Sequence, residues 1–189
     1  LGTANIDTNS RLCMSSAVAA HKRSFGEDLV PASYRDFEHT EMVVLVGSNT
    51  AWCHPILFQR INKAKEQGDL FVVVIDPRYT STCESADLHL PILPGQDVCL
   101  FNGLLQYLHQ NGYQDQQFVE QYTQGLEGAL AASQNEFSLE NVAHKTGISI
   151  EKLLQFYEKF AQTSKVMTLF SMGVNQSSQG VNKANSIIN

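Results

Sequence analysis

The sequence predicts an α/β fold: a mostly parallel sheet with helices on both faces, in a Rossmann-like three-layer αβα arrangement. Three observations carry that expectation. Two uninterrupted apolar, β-branched runs, "MVVLV" (Met42 to Val46) and "DLFVVVID" (Asp69 to Asp76), have the composition of strands buried on both faces. Between them lie a turn of small residues and a helical segment, and strand–helix–strand implies parallel pairing through a right-handed crossover. A third run, "KVMTLFSMG" (Lys165 to Gly173), reads as another buried strand ending in glycine.

The elements follow in order. After the first strand, Gly47-Ser48-Asn49-Thr50 is a turn of small and hydroxyl side chains. "HPILFQRINKAKEQG" places Pro55 near a helix start, apolar residues at Ile56, Leu57, Phe58 and Ile61, and Gly68 just past the end. In "ADLHLPILPG" (Ala86 to Gly95), Leu88, Leu90 and Ile92 alternate as in a short third strand, which Pro91 confines to an edge. "DVCLFNGLLQYLHQNG" reads as a helix capped by Asp97 and closed by Asn111-Gly112. A short helix is expected at Phe118 to Tyr122, a weaker one within 123–136, and two helices broken at Gly147 between Ser138 and Gln162. That last pair has helix-turn-helix spacing. Its second helix offers Glu151, Lys152, Gln155, Glu158 and Lys159, a balanced set of charges, so a plain helical hairpin is expected instead.

Composition excludes several classes of function. A net charge of −6 with scattered Lys and Arg argues against nucleic acid as a partner. No run approaches the roughly 18 apolar residues that span a bilayer, so no membrane partner is expected. Cys13, Cys53, Cys83 and Cys99 form no CxxC pair, and the six histidines are isolated from one another. A zinc finger or an iron–sulfur cluster held by this chain alone is not expected, and a reducing cytoplasm is favoured. The chain opens without Met and stops on "VNKANSIIN" as though in mid-element. Residues 1–189 are therefore expected to be one domain, a fragment of a longer protein, with 165–189 starting a return towards a neighbouring domain.

In an open parallel sheet, ligands gather beyond the carboxyl ends of the strands. Gly47 permits a sharp turn there, and Ser48, Asn49 and Thr50 stand near a helix N-terminus, a favourable place for phosphate. An ordinary βα turn uses the same residue types. No G-x-G-x-x-G occurs. Asp76 stands where doubly wound nucleotide binders place an acid for ribose, and a base donor fits there equally well. Arg78 can pair with phosphate, and Asp76-Pro77 can equally begin a plain turn. In "NIDTNSRLCMSSAV" (Asn5 to Val18) the thiol of Cys13 has polar residues before it and small ones after it. That setting alone does not argue for a metal.

Four segments, in this order, resemble the molybdopterin oxidoreductases of the dimethyl-sulfoxide-reductase family: "NIDTNSRLCMSSAV", "VGSNTAWCHPILFQRI", "IDPRYTSTCESADLHLPILPGQD" and "SMGVNQSSQG". Within the family the likeness is to bacterial nitrate reductases. The resemblance implies that Cys13 is the thiolate ligand of molybdenum, carried in a metal-ligand segment at 1–25, with Met14 beside it at the reaction centre. Asn9 matches a polar cofactor contact. Val46, Gly47, Ser48, Asn49, Thr50, Ala51, Trp52 and Cys53 match the loop over one guanine dinucleotide. Asp76, Pro77, Arg78, Tyr79 and Thr80 match its nucleoside end, and Gly95, Gln96 and Asp97 a third contact. Met172 and Gln176 match residues facing the pterin. The implied cofactor is molybdenum bis(molybdopterin guanine dinucleotide), with a 4Fe–4S cluster expected in an N-terminal region not contained in this chain.

The implied activity is oxygen-atom transfer from nitrate, giving nitrite, in a full-length enzyme supplied by an electron-donor protein or domain. Met14 after the cysteine tilts the likeness towards nitrate, and "GSNTAWCHP" towards cytoplasmic, assimilatory enzymes. The isolated chain is expected to retain no cofactor and to be inactive. A formate-dehydrogenase-like fragment and a non-catalytic nucleotide-binding α/β module are the alternatives.

Overall fold

The computed structural model describes residues 2–7, 12–133 and 137–189, and among these four parallel strands form one sheet. They are β1 (Met42–Val46), β2 (Phe71–Ile75), β3 (Leu88–Leu90) and β4 (Val166–Phe170), in the order β3-β2-β1-β4. Ten helices surround the sheet within the described residues. The first three are α1 (Ser15–Phe25), α2 (Thr50–Cys53) and α3 (Pro55–Gln67). Next come α4 (Asp97–Gln110), α5 (Gln116–Tyr122), α6 (Leu126–Ser133), α7 (Leu139–Thr146) and α8 (Ile150–Gln162). The last two are α9 (Met172–Asn175) and α10 (Gly180–Ile188).

Every residue of β1 is buried, because β2 and β4 flank it and helices cover both faces. Strand alternation sends Met42, Val44 and Val46 to one side and Val43 and Leu45 to the other. The first side packs with Val73, Ile75, Leu88 and Leu90 against α4, α7, α8, α9 and α10, through Leu100, Val142, Phe156, Val174 and Ala184 among others. The second packs with Val72 and Val74 against Ile61 of α3, Phe37 and Leu70. The two layers are unequal, since most helices crowd onto the first face.

The expectation of a sheet-dominated, Rossmann-like three-layer fold is overturned. Helix accounts for 54% of the chain and strand for 10%, with a sheet of only four strands. The strands are three to five residues long. The passage from Leu90 to Val166 runs through five helices before the chain re-enters the sheet. Four helices are unexpected: α1 and α10 fall where the sequence pattern assigned no element, α2 starts within the turn after β1, and α9 begins inside the run read as the last strand. β4 also departs from expectation: as an edge strand it is half-buried along its length rather than buried. Asp97 does not cap α4; Gln96 holds the cap position without a side-chain bond, and Asp97 is the first helical residue.

Tyr157 anchors α8 to α4. Its hydroxyl donates to the Leu100 carbonyl at 2.6 Å, and Gly103 leaves room for the ring, since a Cβ there would lie 2.7 Å from the phenol oxygen. Burial, followed by the nearby Cys99 thiol, pushes the phenol well above the ordinary tyrosine range. Below about pH 10 the phenol is protonated whether the chain is folded or not. Above that value the unfolded chain sheds the proton first, so stability falls as pH rises. Replacing Tyr157 by Phe should therefore lower stability at neutral pH by about 1 kcal/mol, the net value of one buried hydrogen bond. It should also make the alkaline decline shallower. Urea denaturation of both chains at pH 7 and above pH 10 measures the two effects, and equal slopes would contradict the assignment.

Candidate functional site

In-register pairing sets the site. Val46 lies opposite Ile75 and Phe170, so the chains leaving β1, β2 and β4 emerge abreast at Gly47, Asp76 and Ser171. The Gly47 amide donates to the Ile75 carbonyl at 2.9 Å, and the Gly47 carbonyl accepts from the Gly173 amide at 3.0 Å. The two backbones touch. A Cβ on Gly173 would sit 2.7 Å from the Cα and carbonyl oxygen of Gly47, and Gly47 itself has φ +54°. Only glycines allow this approach.

Over these glycines opens a cleft of about 510 Å³. Gly47, Asn49 and Cys53 line it from the first strand end, and Asp76, Pro77 and Arg78 from the second. Gly95 and Asp97 line the third side, with Ser171, Met172, Gly173, Ser177, Ser178 and Lys183 from the last strand onwards. Gly95 is there because Leu93-Pro94-Gly95-Gln96 is a tight turn. The Gln96 amide donates to the Leu93 carbonyl at 3.2 Å, and Gly95 takes φ +92° after a proline, the signature of a type II turn.

The loop side chains divide into two groups. Asp76 is buried; its Oδ1 accepts from the Arg78 amide at 2.9 Å, and its carbonyl is 2.9 Å from His89 Nε2. Tyr79 lies edge-on to the His89 ring and is otherwise exposed. Ser48 and Thr50, in contrast, are buried with their hydroxyls 2.9 Å apart. Asn49 Oδ1 accepts from Thr82 Oγ1 at 3.0 Å, and Thr82 Oγ1 accepts from the Ala51 amide at 3.1 Å. These polar groups hold the loop in shape. Val46 is sealed inside β1, and Trp52 is 73% exposed. Ala51, Tyr79, Thr80 and Gln96 do not line the cleft.

A pairing that sequence reasoning missed closes one end of the cleft. Lys183 Nζ lies 3.2 Å from Asp97 Oδ2 and donates to Ser177 Oγ at 2.8 Å. One signal was available. Residues 180, 183, 184 and 187 form the inward stripe of a helix, and a lysine on such a stripe needs a buried partner. Thr82 offered no comparable signal.

Cys13 stands just before α1, half-buried, on α9 rather than in the cleft. Gln176 Nε2 is 2.7 Å from its sulfur and donates to its carbonyl at 3.0 Å. Asn175 Nδ2 lies 3.6 Å from the Met14 sulfur, while Asn175 Oδ1 is buried with no hydrogen-bond partner among the described residues. α10 holds α1 in place: Asn185 Nδ2 donates to the Ala20 carbonyl at 3.0 Å and to Ser24 Oγ at 2.7 Å. Asn9 lies outside the described residues. Among those residues no group of three or more His, Cys, Asp or Glu could hold a metal ion, so a metal at Cys13 would take its other ligands from elsewhere. No described helix is long and apolar enough to cross a membrane.

The family model for molybdopterin oxidoreductases matches residues 1–189, and the chain belongs to that family. It is 49% identical over 190 residues to a nitrate reductase of Shewanella frigidimarina and 47% identical over 190 residues to one of Klebsiella oxytoca. Both matches take in all of this chain, but 20% and 21% of the relatives, so the chain spans about a fifth of their length. The acetylene hydratase of Pelobacter acetylenicus matches with a TM-score of 0.80 and 25% identity, over 99% of this chain and 25% of that one.

The glycine contact gives a direct test. Gly173→Ala should destabilise the chain by about 1–3 kcal/mol through overpacking against backbone. Gly128→Ala, at an open position in α6, should be neutral or stabilising by up to about 1 kcal/mol. Denaturant unfolding of the two variants checks the contrast, and equal midpoints would refute the contact.

Proposed function

We propose that this chain is the central cofactor-holding part of a molybdenum-dependent nitrate reductase, with Cys13 as the protein ligand of the metal. The observation that carries the reading is the Gln176 amide directed at the Cys13 sulfur at 2.7 Å. An N–H donor placed on sulfur suits a sulfur bearing negative charge, as a metal-bound thiolate does. The cleft also suits one end of a nucleotide-bearing cofactor. It falls within the size range of ligand sites, presents Arg78 as a cation for phosphate, and offers Asp76 and Asp97 as acceptors for ribose or base donors.

When bound, molybdenum bis(molybdopterin guanine dinucleotide) supplies the two-electron chemistry by which nitrate, with two protons, becomes nitrite and water. The chain's own residues hold and orient. From the loops at 47–53, 76–80 and 95–97, the residues that line the cleft (Gly47, Asn49, Cys53, Asp76, Pro77, Arg78, Gly95 and Asp97) receive the nucleotide end, and Asn9, Met172 and Gln176 the pterin nearer the metal. Gln176 fixes the sulfur that Cys13 offers, and Asn175 fixes Met14 beside it. A 4Fe–4S cluster and an electron-donor protein or domain belong to sequence outside these 189 residues. The setting is cytoplasmic and assimilatory, which the "GSNTAWCHP" likeness supports.

In the full-length enzyme, Cys13→Ala should lower nitrate reduction by more than about 100-fold, beyond the usual effect of disturbing a residue behind a metal ligand. Molybdenum content and nitrate and formate assays on the same preparations are the measurement. An active Cys13→Ala enzyme would point to a non-catalytic role for this segment, and formate oxidation in place of nitrate reduction to the dehydrogenase-like alternative.

A further inference from the structure

Lys183 is a buried charge to which the chemistry above gives no specific task beyond lining the cleft. It lies on the inward stripe of α10, 5% exposed, with its ammonium on Asp97 Oδ2 and Ser177 Oγ. All three residues line the cleft, Asp97 from one wall and Ser177 and Lys183 from another. Asp97 opens α4 just after the turn at Gly95, while Ser177 directly follows Gln176, the residue on the Cys13 sulfur.

Packing alone does not call for lysine here. Its stripe neighbours are Ala184 and Ile187, and apolar residues can often replace a buried ion pair without loss of stability. A charge kept at the edge of a polar cleft is better explained by the group it orients. The ammonium has three N–H donors. One is donated to Ser177 Oγ, and the Asp97 carboxylate lies against the ammonium as an ion pair. With Oδ2 against Lys183 and the residue on the cleft wall, the Asp97 carboxylate is set to accept from a ligand there.

We propose that Lys183 is a positioning residue for the nucleotide end of the cofactor, bracing two walls of the cleft and presenting the Asp97 carboxylate to the ligand. This rests on the reading that the cleft receives that nucleotide. Without Lys183, the Asp97 carboxylate loses its counter-charge and the contact that orients it, and with them the acceptor geometry.

In the full-length enzyme, Lys183→Met should lower molybdenum and guanine nucleotide per mole of folded protein about tenfold or more, the scale on which orienting contacts act. Nitrate reduction per mole of protein should fall in proportion to the molybdenum lost, so that the defect is read as cofactor content. Lys183→Arg, which keeps the charge, should restore most of the cofactor content. Full cofactor content in folded Lys183→Met overturns the proposal whatever its melting temperature, and so does a defect that Lys183→Arg does not relieve. If Lys183→Met does not fold, Lys183→Gln is judged by the same criteria. A wild-type enzyme that itself holds no molybdenum would remove the underlying reading, whereas a loaded wild type with an equally loaded variant removes only this inference.

Discussion

The contact between the Gly47 and Gly173 backbones is the constraint on which the rest of the site depends. Parallel strands held in register must send their exit loops over the same edge, and side chains there would force those loops apart. With glycine on both, the loops meet through one amide–carbonyl bond, and α9 starts at once above β4. A single helical turn then separates Met172, on the cleft, from Gln176, on the Cys13 sulfur. The cleft and the thiol therefore lie on the two sides of one short element whose position is set by backbone packing.

The parts of the fold readable in the sequence are those whose burial is complete and local. β1 and β2 announce themselves because strands covered on both faces carry no polar residue, and Pro91 correctly marks β3 as an edge. The two helices around Gly147 carry their own caps: Ser138 and Ser149 accept from amides three residues on. α1 and α10 have no such self-sufficiency. They are held by each other across more than 150 residues, through Asn185 to Ala20 and Ser24 and through Arg23 to Asn182 and Asn185. Polar pairings between distant segments leave no periodicity in either one. The same blindness produced the error of fold class, because the helices that outweigh the short strands include α1, α9 and α10.

Within the candidate site, residue type was a better guide than residue role. Gly47, Asn49, Cys53, Asp76, Pro77, Arg78, Gly95, Asp97 and Met172 do converge on one cleft. Ser48 and Thr50 look like phosphate donors in a string of letters, yet in three dimensions their hydroxyls face each other inside the loop. The distinction depends on Thr82, which arrives from the far side of β2 to bond both Asn49 and the Ala51 amide. A hydroxyl cannot be assigned to a ligand or to its own loop until the competing partners are known.

Charge placement completes the argument. The cleft carries two acids, Asp76 and Asp97, and two cations, Arg78 and Lys183, and these are not equivalent. Arg78 is solvent-exposed, free to swing towards an arriving anion. Lys183 is buried and already engaged, so its charge is fixed in place before any ligand arrives. Orientation fixed in advance costs nothing at the moment of binding, whereas a mobile side chain must be ordered then. The division suits a ligand that is held permanently rather than exchanged: one end of the cleft is rigid and the other adapts. Because Ser177, the second partner of Lys183, adjoins Gln176, that rigidity extends along the chain to the residue that grips Cys13.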